Sequence, residues 1–247
     1  AVEALTLASG ASVTMTLAQY NSFTGTKTAL GTGASGEKIK ITGNGAVAVL
    51  SNIETYELGD DSTNARAVTT TAAALNLIAN NAGDTVTVAA ATLAENAALT
   101  VTAASASNLT VTGLVGDLVA TNLTGALTVT TANATDDGIS ITTGSAATSL
   151  TANNASDTVT VNAAALAENT ALTVAAASAS KLTVTGLVGN ITAATNLTGN
   201  LTVTTADAAD NTITIAAGTA TSNLAISGVA DGDTVTVTGF TAPTLTG

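Results

Sequence analysis

The sequence predicts an all-β chain built as a β-solenoid of the parallel β-helix kind, and three observations carry that expectation. A long segment repeats along the chain, short runs alternate apolar and hydroxyl residues, and the two full repeats contain no aromatic side chain. Tandem seven-stranded β-sandwiches are the competing architecture.

The repeat comes first, because a fixed period of this kind dictates the fold. ANNAGDTVTV from Ala79 returns as ANNASDTVTV from Ala152, an offset of 73. LAEN at Leu93 recurs at Leu166, and LTVTGLV at Leu109 recurs at Leu182. One inserted residue later the offset is 74, carrying TNLTG at Thr121 to Thr195 and LTVTT at Leu127 to Leu201. DTVTV appears a third time at Asp233. These matches divide the chain into a divergent β segment (1–70), a first repeat (79–151), a second (152–232) and the start of a third (233–247). The short third copy is expected to be a cut through a longer array.

Within a copy, Thr85–Val88, Leu99–Val101, Leu109–Thr112, Leu127–Thr130 and Ile139–Ile141 alternate with period two. Leu109 and Val111 therefore share one face and Thr110 and Thr112 the other. Gly, Asn and Asp punctuate the intervals. Close, uneven spacing of these runs predicts about seven strands per repeat and a rod of about 40–60 Å. Small core residues and very short strands favour the solenoid over the sandwich. Residues 1–70 share this character, in LTL at Leu5, SVTMTL at Ser12, KIKIT at Lys38 and YEL at Tyr56. Leu17–Phe23 is expected to form one helical turn, with Tyr20, Phe23 and Tyr56 packed in a locally thicker core.

Composition narrows function by exclusion. With no His and no Cys, imidazole bases, activated thiols and zinc or iron–sulfur sites are closed off. Five basic residues against 17 acidic ones, a net charge of −12, exclude phosphate-backbone binding, so nucleic acid is not an expected partner. A hydrophobic fraction of 46% separates the chain from disordered polymers. No apolar run approaches the length of a membrane-spanning helix. An acidic, Lys-poor, disulfide-free chain suits bacterial secretion. The absence of a signal-like start predicts processing, a fragment, or an export signal lying elsewhere.

At LTVTGLV, TNLTG, LTVTTADAADNTITI (Leu201–Ile215) and SNIETYEL (Ser51–Leu58), the chain resembles the Thr/Ala/Gly-rich β-strand repeats of large type I-secreted bacterial proteins, surface-layer proteins and RTX-type adhesins among them. The resemblance implies an extracellular solenoid segment, often calcium-stabilised. The Gly/Asp nonapeptide that binds calcium in RTX repeats is absent, so no calcium site is carried over by motif.

Candidate sites follow from the turns. Asp60, Asp61, Asp84, Asp136, Asp137, Asp157, Asp207, Asp210, Asp231 and Asp233 all fall at expected turns, where carboxylates suit calcium's preference for oxygen. Asp136 with Asp137, Asp207 with Asp210, and Asp231 with Asp233 form the candidate metal set. The alternative for each is a turn cap. Paired acids also raise glycoside hydrolysis, but no aromatic platform accompanies them. Asn122 and Asn196, in matching TNLTG segments, are candidates for stacked amide ladders. Outward Thr pairs (Thr85 and Thr87, Thr110 and Thr112, Thr128 and Thr130) raise ice binding, although uneven strand spacing is expected to scatter them over different faces. The leading expectation is a non-enzymatic structural protein of a surface layer, adhesin stalk or fibre. It would self-associate through strand ends or edges into a lattice or filament, with a cell-surface glycan as a further partner.

Overall fold

The computed structural model describes residues 5–23, 28–29, 36–59, 65–80, 83–103, 107–132, 138–154, 157–176, 181–195, 197, 199–206, 212–217 and 224–239. The strands in the first third are β1 (Thr6–Leu7), β2 (Ser12–Thr16), β3 (Thr28–Ala29), β4 (Lys38–Thr42), β5 (Gly45–Ala48), β6 (Thr55–Leu58), β7 (Ala65–Thr69) and β8 (Leu75–Ala79). The first repeat continues with β9 (Thr85–Ala89), β10 (Ala98–Ala103), β11 (Asn108–Leu114), β12 (Asp117–Val119), β13 (Leu127–Thr131), β14 (Gly138–Thr142) and β15 (Thr148–Ala152). The remainder are β16 (Thr158–Asn162), β17 (Ala171–Ala176), β18 (Lys181–Leu187), β19 (Asn190–Thr195), β20 (Leu201–Thr205), β21 (Thr212–Ala217), β22 (Leu224–Ser227) and β23 (Thr234–Thr238). One helical turn, α1 (Leu17–Asn21), interrupts them, capped by Thr16 and Gln19.

Even-numbered strands from β2 to β22 form one eleven-stranded sheet, and odd-numbered strands from β5 to β23 form a ten-stranded sheet. From β4 onward chain order alternates between the two, so each of these coils contributes one strand to each sheet, while β1 and β3 pair separately. All strand pairs among the described residues are parallel, which decides for the solenoid against the antiparallel sandwich. Eleven stacked strands make roughly 48 Å of rod at about 4.8 Å per step. Coil length varies: Ser12 pairs with Lys38, and Lys38 pairs with Thr55, so the first of these coils is much the longer. The corners absorb that variation while the strands stay aligned.

The core is a column of inward ladders. One runs Leu75, Leu99, Leu118, Ile141, Val161, Val184, Val203 and Ile226, each at most 7% exposed. Each such side chain, fully buried, contributes about 1.5–3 kcal/mol against chain entropy. Val, Ile and Leu suit these rungs because a narrow two-sheet interior has no room for rings. The aromatic exceptions sit where α1 widens the first coils. Tyr20 and Tyr56 are buried with centroids 6.3 Å apart, edge to face. The Tyr20 hydroxyl donates to Ala48 O (2.6 Å) and lies 3.2 Å from the Tyr56 hydroxyl, which accepts from Leu50 N (2.8 Å). Phe23 is partly buried against the same core, so all three aromatics pack as expected.

Seven strands fill each repeat: β9 to β15 in the first copy correspond to β16 to β22 in the second. Seven is odd and each coil holds two strands, so a repeat advances the rod by three and a half coils. The DTVTV strand consequently lies in the odd sheet at β9 and in the even sheet at β16. The same shift of 73 relates β7 to β14 and β2 to β9. Local irregularities repeat too. Gly113 and Gly186 (φ 66° and 64°) supply left-handed backbone where registers slip after Val111 and Val184. At the corners, a Cβ on Gly116 would lie 2.2 Å from Ala97 O, and one on Gly189 2.2 Å from Thr170 O.

Candidate functional site

Outward positions of the strands carry the polar chemistry of this chain. On the odd sheet, the register aligns Thr87, Thr110, Thr128, Ser149, Thr173 and Thr192 in one ladder across six consecutive coils. Thr130 and Thr151 begin a second rank beside it, one Thr-x-Thr spacing (about 7 Å) away. The even sheet repeats the ladder as Ser140, Thr160, Thr183 and Thr202. Neighbouring hydroxyls are close enough to bond in places, with Thr173 Oγ1 3.0 Å from Thr192 Oγ1. The threonine pairs of the first repeat thus share one sheet, against the expectation that uneven spacing scatters them, while their copies in the second repeat stand on the other. Loop-length differences are taken up at the corners, so hydroxyl-bearing strands stack in register on both faces.

The first coils carry the charge instead. On the outer face of the even sheet, Glu57 bridges Lys38 Nζ (2.6 Å) and Lys40 Nζ (2.8 Å) and accepts from Asn80 Nδ2 (2.7 Å). Lys38 and then Lys40 hold the Glu57 carboxyl below the usual carboxylate range. This cluster ties three adjacent coils together.

The expected metal residues divide in two. Asp136, Asp137, Asp207 and Asp210 lie outside the described residues, as do Asp60 and Asp61. Asp231 is exposed in a turn. Asp233 closes that turn on itself: its Oδ2 accepts from Ala230 N (3.2 Å) while its N donates to Ala230 O (3.1 Å). Among the described residues, no three acidic side chains come together as a metal cluster. Asp84 and Asp157, expected at turns, immediately precede β9 and β16 and are fully buried. Asp157 Oδ2 accepts from Thr131 Oγ1 (3.3 Å), which in turn accepts from Asn153 N (3.0 Å), so this carboxylate braces a corner. Strand parity held the signal, because 84, 86 and 88 share the inward face, as do 157, 159 and 161. Asn122 is exposed in a turn, and Asn196 lies outside the described residues.

Sequence reasoning missed a second pair of acids. Glu37 and Glu54 immediately precede β4 and β6 on inward-facing positions. Glu37 is fully buried and Glu54 half-buried. Glu54 Oε2 accepts from Glu37 N (2.9 Å). Burial pushes the Glu54 carboxyl up, and the adjacent Glu37 carboxyl adds to the shift. Buried Arg66 lies on the odd sheet opposite Gly45 and donates from Nη2 to Gly59 O (3.1 Å).

Two openings flank α1. One, of about 490 Å³, is lined by Thr16, Leu17, Ala18, Asn21, Thr42, Gly43 and Asn44. The other, of about 340 Å³, is lined by side chains of Leu5, Val13, Met15, Gln19 and Phe23 among others. Neither is lined by a titratable side chain. No helix among the described residues is long and apolar enough to cross a membrane. Comparison with known proteins finds no matching family model, no similar curated protein and no similar solved structure.

Proposed function

We propose that this chain is a non-enzymatic structural segment of an extracellular assembly, a bacterial surface layer, adhesin stalk or fibre, that associates with copies of itself. The observation that carries the reading is the uninterrupted stack of eleven parallel strands, whose repeat places the same chemistry on both faces. A rod with two like faces can contact neighbours on either side, and strand edges propagate such contacts along its axis. On β23 the inward Val235 and Val237 stay partly exposed, whereas Val159 and Val161 at the corresponding positions of β16 are buried. The lack of His and Cys, and of titratable side chains lining the openings beside α1, supports a non-catalytic role. Freedom from cysteine and the scarcity of Lys support an extracellular setting. Hydroxyl ladders suit a cell-surface glycan as the outside partner. Electron microscopy of concentrated protein, with light scattering across ionic strength and calcium concentration, tests the assembly. Ordered filaments or sheets are expected, and a strict monomer under every condition defeats the reading.

Ice binding is the second reading, favoured by the six-rung hydroxyl ladder from Thr87 to Thr192. Regular hydroxyls at about 4.8 Å by 7 Å can order a water layer. A thermal-hysteresis assay decides it. Activity lost on Thr110→Lys and Thr128→Lys would establish this face as the ice-binding one, and no hysteresis in the unaltered chain would dismiss it.

A further inference from the structure

The ladder Leu75, Leu99, Leu118, Ile141, Val161, Val184, Val203 and Ile226 has an anomaly at its N-terminal end. Lys38 pairs with Thr55 and Thr55 with Asn76, so the rungs preceding Leu75 are Glu54 and, before it, Glu37. The backbone bonds agree: Thr55 N donates to Glu37 O (3.1 Å) and Asn76 N to Glu54 O (2.8 Å). Two carboxyl groups therefore occupy positions that the eight following coils fill with Leu, Ile or Val. Ala11 stands one rung earlier.

Three of the four carboxyl oxygens, Glu37 Oε1 and Oε2 and Glu54 Oε1, are buried and accept from no donor among the described residues, while the two carboxyls lie within hydrogen-bonding reach of each other. The fourth, Glu54 Oε2, is fixed by the Glu37 amide. Stacked rungs bring the two groups within about 5 Å along the axis, where two buried negative charges repel and forfeit their hydration. A shared proton would satisfy only two of those three oxygens. A hard divalent cation engages carboxylates through both oxygens and completes its shell with main-chain carbonyls or water. Half-buried Glu54, at the coil edge, gives it a way in.

We infer that Glu37 and Glu54 form an interior divalent-cation site, of calcium type, that locks the first coils of the solenoid together. It differs from the turn carboxylates of the repeats in position and in lining, since it lies on the core ladder itself.

The protein carries its own reporter. Tyr56 is the next inward residue after Glu54, about 7 Å along the strand, and Tyr20 meets it edge to face. The sequence has no other tyrosine and no tryptophan. Terbium, a calcium mimic that emits when a nearby tyrosine is excited, will therefore report on this site, while Asp231 and Asp233 lie beside β23 at the other end of the stack. Titration of the full chain with terbium is expected to give saturable tyrosine-sensitised emission that calcium competes away. Glu37→Gln and Glu54→Gln should each weaken that binding at least tenfold while preserving the β-sheet circular dichroism. Asp231→Asn should leave it unchanged. Calcium should also raise the melting temperature of the parent and not of the Glu37→Gln, Glu54→Gln double variant. The proposal is overturned by the absence of sensitised emission, or by emission and melting shifts that survive in the double variant. It is equally overturned if the parent ignores metal and is stabilised by mild acid alone, the mark of a shared proton.

Discussion

Thr87 and Thr160 hold the same position in successive repeats, yet they stand on opposite faces of the rod. Thr87 pairs with Thr110 in the odd sheet, and Thr160 pairs with Thr183 in the even sheet. The repeat thus produces two similar faces from one sequence pattern. The stability of that arrangement depends on a few positions whose contributions can be measured.

Leu118 sits mid-ladder on the short strand β12, fully buried. Leu118→Ala leaves a cavity between rigid coils and should destabilise the fold by about 2–5 kcal/mol. Urea unfolding measures it. A loss below about 1 kcal/mol would mean that the ladder is loosely packed.

Gly116 and Gly189 stand where the carbonyl of the preceding coil closes the corner. Neither needs a positive φ; the space alone demands glycine. Gly116→Ala and Gly189→Ala should each cost about 1–3 kcal/mol, read from the same unfolding curves. Equal losses are expected, since the two corners are copies.

The Glu57 cluster makes stability depend on acid. Its folded pKa lies below the ordinary carboxylate value, so the contribution is fully present above that value and disappears as pH falls through the folded one. Both lysines are about one-third exposed, which holds the gain to about 0.5–1 kcal/mol. Chemical denaturation of the parent and Glu57→Gln between neutral pH and strong acid should show curves that converge in acid.

Tyr20 and Tyr56 titrate in the other direction. Burial raises both hydroxyl pKa values, with Tyr20 adding to the shift on Tyr56. A raised folded pKa means stability that is intact below the unfolded value, about 10, and lost as pH climbs beyond it. Ultraviolet titration should show no tyrosinate until the chain unfolds in alkali. Tyr56→Phe, which strands the Leu50 amide, should cost about 1–3 kcal/mol.

Much of this fold was legible in the alternation of residues such as Leu109, Thr110 and Val111, because period two fixes which side chains face inward. The β12 and β15 strands escaped the sequence because DLV is short and TSLTA carries a buried Thr148 at an inward rung. Register was not legible, since coils of unequal length align only through their corners. That is why the threonine ladders were expected to scatter. The buried acids were hidden for a different reason. Asp84, Asp157, Glu37 and Glu54 flank strands, where a carboxylate suggests a turn, although counting back from Val86 or Ile39 places each on the inward side.

The half-coil remainder of the repeat has a consequence for how such a chain varies in length. Insertion or loss of one repeat turns everything downstream by half a revolution, exchanging the face it presents, whereas a change of two repeats restores the original orientation. Copy number in this architecture therefore carries a parity, and a neighbour that reads one face would distinguish odd arrays from even ones.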